Sequence, residues 1–121
     1  MKLSINEEQL MQYIWKLEKA HMKDLLIAYP EPKPAKTTIA TLLKRMTNKG
    51  FVAYNLNGTS REYYPVVKKK DYFSNHVNGL VKRFFDNSPS RFVSFFTQET
   101  SLDKSELEDL KAIIENEIKK K

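Results

Sequence analysis

One stretch constrains the fold of this 121-residue chain more than any other: residues 32–50, which read PKPAKTTIATLLKRMTNKG. The prolines in and just before it cannot continue a helix and favour extended backbone in the residues that precede them. A helix is therefore predicted to begin near Ala35 or Lys36. Gly50 supplies the stop, because glycine readily adopts the left-handed conformation that commonly follows a helix C-terminus.

The predicted helix has two dissimilar faces. Four apolar residues recur at helical spacing and form a stripe that would pack on a core: Ile39, Leu42, Leu43 and Met46. The remaining face carries bases and short hydroxyl side chains and no acidic residue: Lys36, Thr37, Thr38, Thr41, Lys44, Arg45 and Lys49. Solvated helices usually mix acidic and basic residues, so this composition favours contact with a polyanion. A merely basic surface helix is the open alternative on this stretch alone.

The charge of the chain is distributed unevenly. The net charge is +6, with 13 Lys and Arg against 6 Asp and Glu in residues 1–70, and 8 against 9 in residues 71–121. Between Lys33 and Lys70 nine bases accompany a single acid, Glu62. A basic patch of this kind is typical of nucleic-acid-binding domains.

Composition and spacing argue against several other classes of protein. The chain has no Cys, which excludes disulfides and thiolate metal sites and fits a reducing cytoplasm. Its two histidines, His21 and His76, have no further metal ligands at suitable spacing, and its three glycines form no phosphate-binding loop. No catalytic residue, metal or cofactor is predicted, and His21 is interpreted as structural. The apolar runs are short, so neither secretion nor membrane insertion is expected.

Helices are predicted before the central stretch. Ser4 and Glu7 fit a capping box that opens a first helix running to about Lys19. Trp15 lies on the apolar stripe of this helix and is interpreted as a core anchor. A second short helix is predicted from about Lys23 to Tyr29.

Strands are predicted after the central helix. Residues 51–56 and 61–67 are rich in aromatic and β-branched side chains, and Asn57-Gly58 between them is a strong hairpin signal. Pro65 has no N–H to donate and is expected at an edge or at the end of the second strand. A two-stranded ribbon is the expected result.

The order helix, helix, basic helix and hairpin within about 70 residues is that of a winged helix-turn-helix domain. In that arrangement the third helix enters the major groove and the hairpin tip can lie along the DNA backbone. Arg61 is the basic residue of the hairpin tip and a candidate DNA contact. An ordinary exposed turn is the alternative for the tip.

Three further helices are predicted in the C-terminal part of the chain. The first covers about residues 71–87, and a short one follows the break at Ser88-Pro89. The last begins at a second capping box formed by Asp103 and Glu106. The predicted fold is therefore mainly α with a small β-hairpin (α+β), with a winged-helix domain over residues 1–70 and a helical region over residues 71–121.

The C-terminal helices carry more apolar side chains than about 50 residues can bury alone. The candidate interface residues are Phe73, Val77, Leu80, Val81, Phe84, Phe85, Phe92, Phe95, Phe96, Leu107, Leu110 and Ile114. A second copy of the chain is the economical partner, and it would give a two-fold dimer that presents two basic helices. The alternative is that these helices fold back on their own winged helix.

The residues YPEPKPAKTTIATLLKRMTNKGFVAYNLNGTSREYYPVV, with QLMQYIWKL upstream and FVSFFTQETSLDKSELEDLKAII downstream, resemble the penicillinase-repressor (BlaI/MecI/CopY) family over nearly the whole chain. The resemblance implies an N-terminal winged helix and a C-terminal three-helix dimerisation region. It also implies repression through a double-stranded DNA operator that is palindromic, with half-sites resembling TACA and TGTA. A protein-interaction adaptor is the alternative function, because winged helices also serve that role.

The family's recognition helix reads near N-T-V-x-T-L-L-x-R-L-x-x-K-G, which aligns with Thr37 to Gly50 here. By position the resemblance points to four DNA contacts: Thr38, Thr41, Lys44 and Arg45. Thr37 stands where the family usually has Asn, so one amide that could read a base is absent.

Two branches of the family are distinguished by their signals. The copper-responsive branch has a C-terminal cysteine motif, which this chain lacks. The β-lactam branch is inactivated when a membrane sensor metalloprotease pathway leads to cleavage of an Asn-Phe bond. The corresponding bond here is Phe95-Phe96, preceded by Ser94, and the Asn is missing.

Overall fold

A computed structural model describes residues 2–121, which form six helices and one two-stranded antiparallel sheet. The elements in chain order are α1 (Ile5–Leu17), α2 (Met22–Ala28), α3 (Lys36–Asn48), β1 (Val52–Asn57), β2 (Ser60–Pro65), α4 (Lys69–Phe84), α5 (Pro89–Glu99) and α6 (Lys104–Lys120). This is the α+β winged-helix fold predicted from the order of the elements.

The start of α1 confirms the predicted capping box. The Glu7 amide donates to Ser4 Oγ at 3.2 Å, and the Ser4 amide donates to Glu7 Oε1 at 2.8 Å. The helix ends at Leu17, earlier than the predicted end near Lys19, because Glu18 takes a φ of +68° that a right-handed helix cannot continue.

The core of the N-terminal part is built from α1, α2 and α3. The predicted apolar stripe of α3 is buried together with residues of α1 and α2: Leu10, Met11, Ile14, Leu25, Ile39, Leu42, Leu43 and Met46. Trp15 is packed against this core as predicted, and its indole N–H donates to the Val67 carbonyl at 2.8 Å. Burying one face of α3 fixes which of its residues face outward.

The hairpin is a two-stranded ribbon, as predicted, and Pro65 is the last residue of β2. The turn lies one residue further along than Asn57-Gly58, because Asn57 pairs with Ser60 and the two turn residues are Gly58 and Thr59. Gly58 has a φ of +65°, a conformation that glycine accepts without strain. The ribbon forms the wing of the fold.

A short bridge adds a third extended segment to the wing. The Ala20 amide donates to the Tyr63 carbonyl at 2.9 Å, and the Tyr63 amide donates to the Ala20 carbonyl at 2.8 Å. The link between α1 and α2 is therefore held against β2. This bridge brings the next residue, His21, to the wing.

The chain forms two compact units, of which the first ends at Ser74 and the second comprises Asn75–Lys121. The predicted division falls after Lys70, whereas the first residues of α4 pack within the first unit. The Tyr72 and Phe73 rings lie 5.8 Å and 5.9 Å from the Trp15 ring, measured between centroids. This packing extends the first unit beyond the end of the wing.

The second unit contains the remainder of α4 together with α5 and α6. Ser88 caps α5 by accepting a hydrogen bond from the Arg91 amide at 3.2 Å, and Asp103 and Glu106 form the predicted capping box of α6. Within the described chain, no residue of α5 or α6 is fully buried. The apolar faces of these helices remain largely open to solvent.

Candidate nucleic-acid interface

The outward face of α3 is basic and contains no carboxylate. With the apolar stripe buried, six of its seven predicted contact residues are exposed: Lys36, Thr37, Thr38, Thr41, Lys44 and Arg45. Helical spacing puts Thr37, Thr41 and Lys44 on the side opposite the stripe. Thr38 and Arg45 lie beside them, and Lys36 lies toward the margin of the stripe. The face therefore offers positive charge and hydroxyl groups to one external partner.

One hydroxyl of this face already has an internal partner. Thr41 Oγ1 donates to the Thr37 carbonyl at 3.0 Å, which uses its single proton within the helix. The oxygen keeps lone pairs that can accept from a base amine, and the methyl group can contact a thymine methyl. Thr41 is thus suited to accept hydrogen bonds rather than to donate them.

The seventh predicted residue, Lys49, has a partner inside the protein. Its ammonium donates to Glu7 Oε1 at 2.7 Å and to the Lys2 carbonyl at 3.2 Å, and Glu7 is only 1% exposed. A contact between Lys49 and DNA remains a prediction, whereas its pairing with Glu7 is part of the fold. No local sequence pattern indicates this pair, because Glu7 lies in α1 and Lys49 caps the end of α3.

The Glu7 carboxyl is kept ionised by this pairing. Burial alone would raise its pKa, but hydrogen bonds from Lys49 and Ser4 and the positive charge of Lys49 lower the pKa below the ordinary value of 4.5. A buried carboxylate destabilises the fold unless a cation is paired with it. Lys49 therefore neutralises Glu7 and ties the end of α3 to the start of α1.

Lys33 is also used within the fold. Its ammonium donates to the carbonyls of Leu26 at 3.0 Å, Ile27 at 3.3 Å and Tyr29 at 2.6 Å, at the C-terminal end of α2. A cation at this end satisfies carbonyls that lack helical partners and complements the helix dipole. Fewer basic side chains are therefore available to an external partner than the number of Lys and Arg residues between Lys33 and Lys70 suggests.

Arg61 projects from the wing beside an aromatic ring. Its guanidinium carbon lies 4.4 Å from the centroid of the Tyr54 ring, and its Nη1 donates to the Tyr63 hydroxyl at 3.5 Å. Stacking of this kind holds the planar group in place while leaving N–H groups available. The predicted wing contact is thus exposed and oriented.

His21 lies at the wing, where sequence reasoning assigned it no functional role. Its Nδ1 is 2.9 Å from Ser60 Oγ and 3.1 Å from the Arg61 carbonyl oxygen. Its Nε2 is 3.7 Å from Glu62 Oε2. Ser60 and Glu62 flank Arg61 in the sequence, but no sequence pattern joins them to His21.

Comparison with known proteins identifies the family. The chain matches the family described as Penicillinase repressor over residues 3–116. The chain belongs to the penicillinase repressor family. It is therefore placed among DNA-binding transcriptional repressors, as the sequence resemblance implied.

Individual members of the penicillinase repressor family are distant relatives. The penicillinase repressor of Bacillus licheniformis is 24% identical over 115 residues, which cover 94% of this chain and 90% of the relative. The methicillin resistance regulatory protein MecI of Staphylococcus aureus strain N315 is 23% identical over 114 residues, or 93% of each chain. MecI of Staphylococcus epidermidis has the same identity and coverage.

The second unit of this penicillinase repressor family member exposes much of its apolar surface. Phe84, Phe95 and Ile114 are 69%, 53% and 50% exposed. The other exposed members of the predicted interface are Val77, Leu80, Phe96 and Leu107, while Val81, Phe85, Phe92 and Leu110 are half-buried. Phe73, also predicted for this interface, contacts Trp15 in the first unit.

The predicted cleavage region lies inside a helix. Ser94, Phe95 and Phe96 are internal residues of α5, and Ser94 Oγ accepts from Gln98 Nε2 at 3.2 Å one turn later. A protease would reach this backbone only after the helix opens locally. No helix within residues 2–121 is long and apolar enough to cross a membrane.

Proposed function

We propose that this repressor acts as a homodimer on a palindromic DNA operator, which it contacts through α3 and the wing. The observation that carries the proposal is the exposed, carboxylate-free face of α3, positioned by a fully buried apolar stripe on its other side. Thr38, Thr41, Lys44 and Arg45 are the proposed principal contacts of α3. Lys36 and Thr37 would add contacts near its beginning.

The side chains of this face suit two kinds of DNA contact. Lys36 and Lys44 carry flexible point charges that neutralise phosphates and make affinity dependent on salt. Arg45 can donate two parallel hydrogen bonds to a guanine edge, and Thr41 can accept from a base amine. Arg61 on the wing would bind the backbone beside the half-site.

Homodimerisation is supported by the surface of the second unit. A unit with no fully buried residue in α5 or α6 and with phenylalanines more than half exposed gains stability when a partner covers it. A second copy of the chain offers the same apolar surface and a two-fold axis. That symmetry matches two inverted half-sites.

Release from DNA would follow from loss of the dimer. Cleavage near Phe95-Phe96 through a membrane sensor metalloprotease pathway, or a ligand bound within residues 71–121, would separate the two copies. One α3 on one half-site binds more weakly than two linked copies. The repressor would work in the cytoplasm, where its operator DNA is reached.

The role of α3 is tested by replacing Arg45 with Ala. Loss of a bidentate guanine contact should weaken operator binding by about 1–3 kcal/mol and relax sequence preference at one position. The matched control is Lys111→Ala, which removes one exposed positive charge from α6. Binding is measured by fluorescence anisotropy on a duplex with two inverted TACA/TGTA half-sites and on a scrambled duplex.

The outcome distinguishes the repressor from the adaptor. Specific binding that Arg45→Ala loses and Lys111→Ala keeps supports α3 as the reading element. Equal affinity for the operator and the scrambled duplex, unchanged in Arg45→Ala, would contradict it. The protein-interaction adaptor would then become the better account.

A further inference from the structure

The contacts of His21 link the region before α2 to the strand that carries Arg61. The imidazole lies within hydrogen-bonding distance of Ser60 Oγ and the Arg61 carbonyl through Nδ1, and its Nε2 faces the Glu62 carboxylate at 3.7 Å. Asp24 on α2 accepts from the His21 backbone amide at 2.9 Å, which fixes the histidine backbone. Three consecutive wing residues thus meet one side chain.

A neutral imidazole can make these contacts in either tautomer. With its proton on Nε2, the ring accepts from the Ser60 hydroxyl through Nδ1 at 2.9 Å, and its N–H faces the Glu62 carboxylate. With its proton on Nδ1, the ring donates to the Arg61 carbonyl at 3.1 Å. Each tautomer therefore links His21 to the strand that carries Arg61.

The charged groups around His21 come from two elements. Glu62 and Arg61 lie on β2, and Asp24 lies on α2. The Arg61 guanidinium is stacked over Tyr54. Arg61 therefore has His21 at its carbonyl and an aromatic ring at its guanidinium.

We propose that His21 is a positioning residue for DNA binding: its contacts with Ser60, Arg61 and Glu62 fix the wing so that Arg61 meets the DNA backbone. This inference rests on the proposed operator binding. Loss of the imidazole should weaken operator binding through Arg61, because the wing loses hydrogen bonds that orient that side chain.

The test compares five proteins: the unmodified chain, His21→Ala, His76→Ala, Arg61→Ala and the double variant with His21→Ala and Arg61→Ala. His76 on α4 is the other histidine of the chain, so His76→Ala is the matched control. Dissociation constants are measured at one pH and one ionic strength on the duplex with two inverted half-sites.

His21→Ala should weaken operator binding by about 3- to 10-fold, the range expected for one or two lost hydrogen bonds, and His76→Ala should leave it unchanged. When Arg61 is already Ala, His21→Ala should cause no further loss, because the contact that His21 orients is missing. Equal affinities of the unmodified chain and His21→Ala, or the same additional loss without Arg61, would overturn the inference.

Two further results keep the test decisive. Circular dichroism melting verifies that His21→Ala is folded; if it is not, Ser60→Ala replaces it, because it removes the hydroxyl that contacts His21 Nδ1. An equal effect of Ser60→Ala with and without Arg61 would overturn the inference. Absence of operator binding by the unmodified chain would instead contradict the proposed function.

Discussion

Individual basic residues of the chain divide into those that face outward and those that the fold uses. Arg45 and Lys44 are exposed on α3, whereas Lys33 caps α2 and Lys49 neutralises the buried Glu7. The sequence predicted the outward residues because the apolar stripe fixes the opposite face of a helix. It could not predict the internal pairs, since these depend on how distant segments pack.

Replacing Lys49 with Met should destabilise the fold. Glu7 would remain buried without its cation, and we expect a loss of about 1–3 kcal/mol in the free energy of unfolding, less than for a fully buried pair because Lys49 is 28% exposed. Urea unfolding at pH 7 measures this loss. Lys44→Met, on the exposed face, should change stability by less than about 0.5 kcal/mol.

The loss in unfolding free energy caused by Lys49→Met should depend on pH. Because the pKa of Glu7 is lowered in the folded state, its contribution to stability is present above its unfolded value of 4.5 and is lost as the pH falls through the folded value. The difference between the unmodified chain and Lys49→Met should therefore shrink below about pH 4.5. A difference that stays constant down to pH 3 would show that charge pairing is not its cause.

At the scale of elements, local signals predicted most of the structure. Capping boxes located the starts of α1 and α6, and the proline-bounded, glycine-ended stretch located α3. The boundary after Ser74 was not predicted, because it depends on aromatic packing between α1 and α4. The hairpin of the wing was predicted, but its contact with His21 was not. That contact depends on the bridge between Ala20 and Tyr63, which joins segments distant in sequence.

The start of α4 is hydrogen-bonded to α1 through the Tyr72 hydroxyl, and Tyr72→Phe would remove this bond. The Tyr72 hydroxyl donates to Glu8 Oε2 at 2.6 Å. We expect Tyr72→Phe to lose about 1–2 kcal/mol of unfolding free energy in urea at pH 7. Tyr54→Phe, an exposed position on β1, is the control and should have little effect.

Alkaline unfolding checks the same contact independently. Burial and the hydrogen bond to Glu8 raise the pKa of Tyr72 from 10.0 to about 12. The unmodified chain should lose stability between these values as the unfolded phenol ionises, and Tyr72→Phe should lack that component of the loss. Identical alkaline profiles for the two proteins would contradict the assignment.

The whole molecule combines a winged-helix unit with a helical unit of exposed apolar surface in one chain. The family match over residues 3–116 covers both units. The exposed phenylalanines and isoleucines of the second unit are explained if a second copy covers them. Sequence patterns indicated that these helices need a partner, but a single chain does not reveal which partner it is.

We propose that two chains bind one operator together, and sedimentation analysis of the protein on labelled duplexes measures this stoichiometry. A duplex with two inverted half-sites should bind two chains. Scrambling one half-site should weaken binding by about 100-fold or more, because the linked second contact is lost. One chain per duplex, with equal affinity for one and two half-sites, would contradict the account.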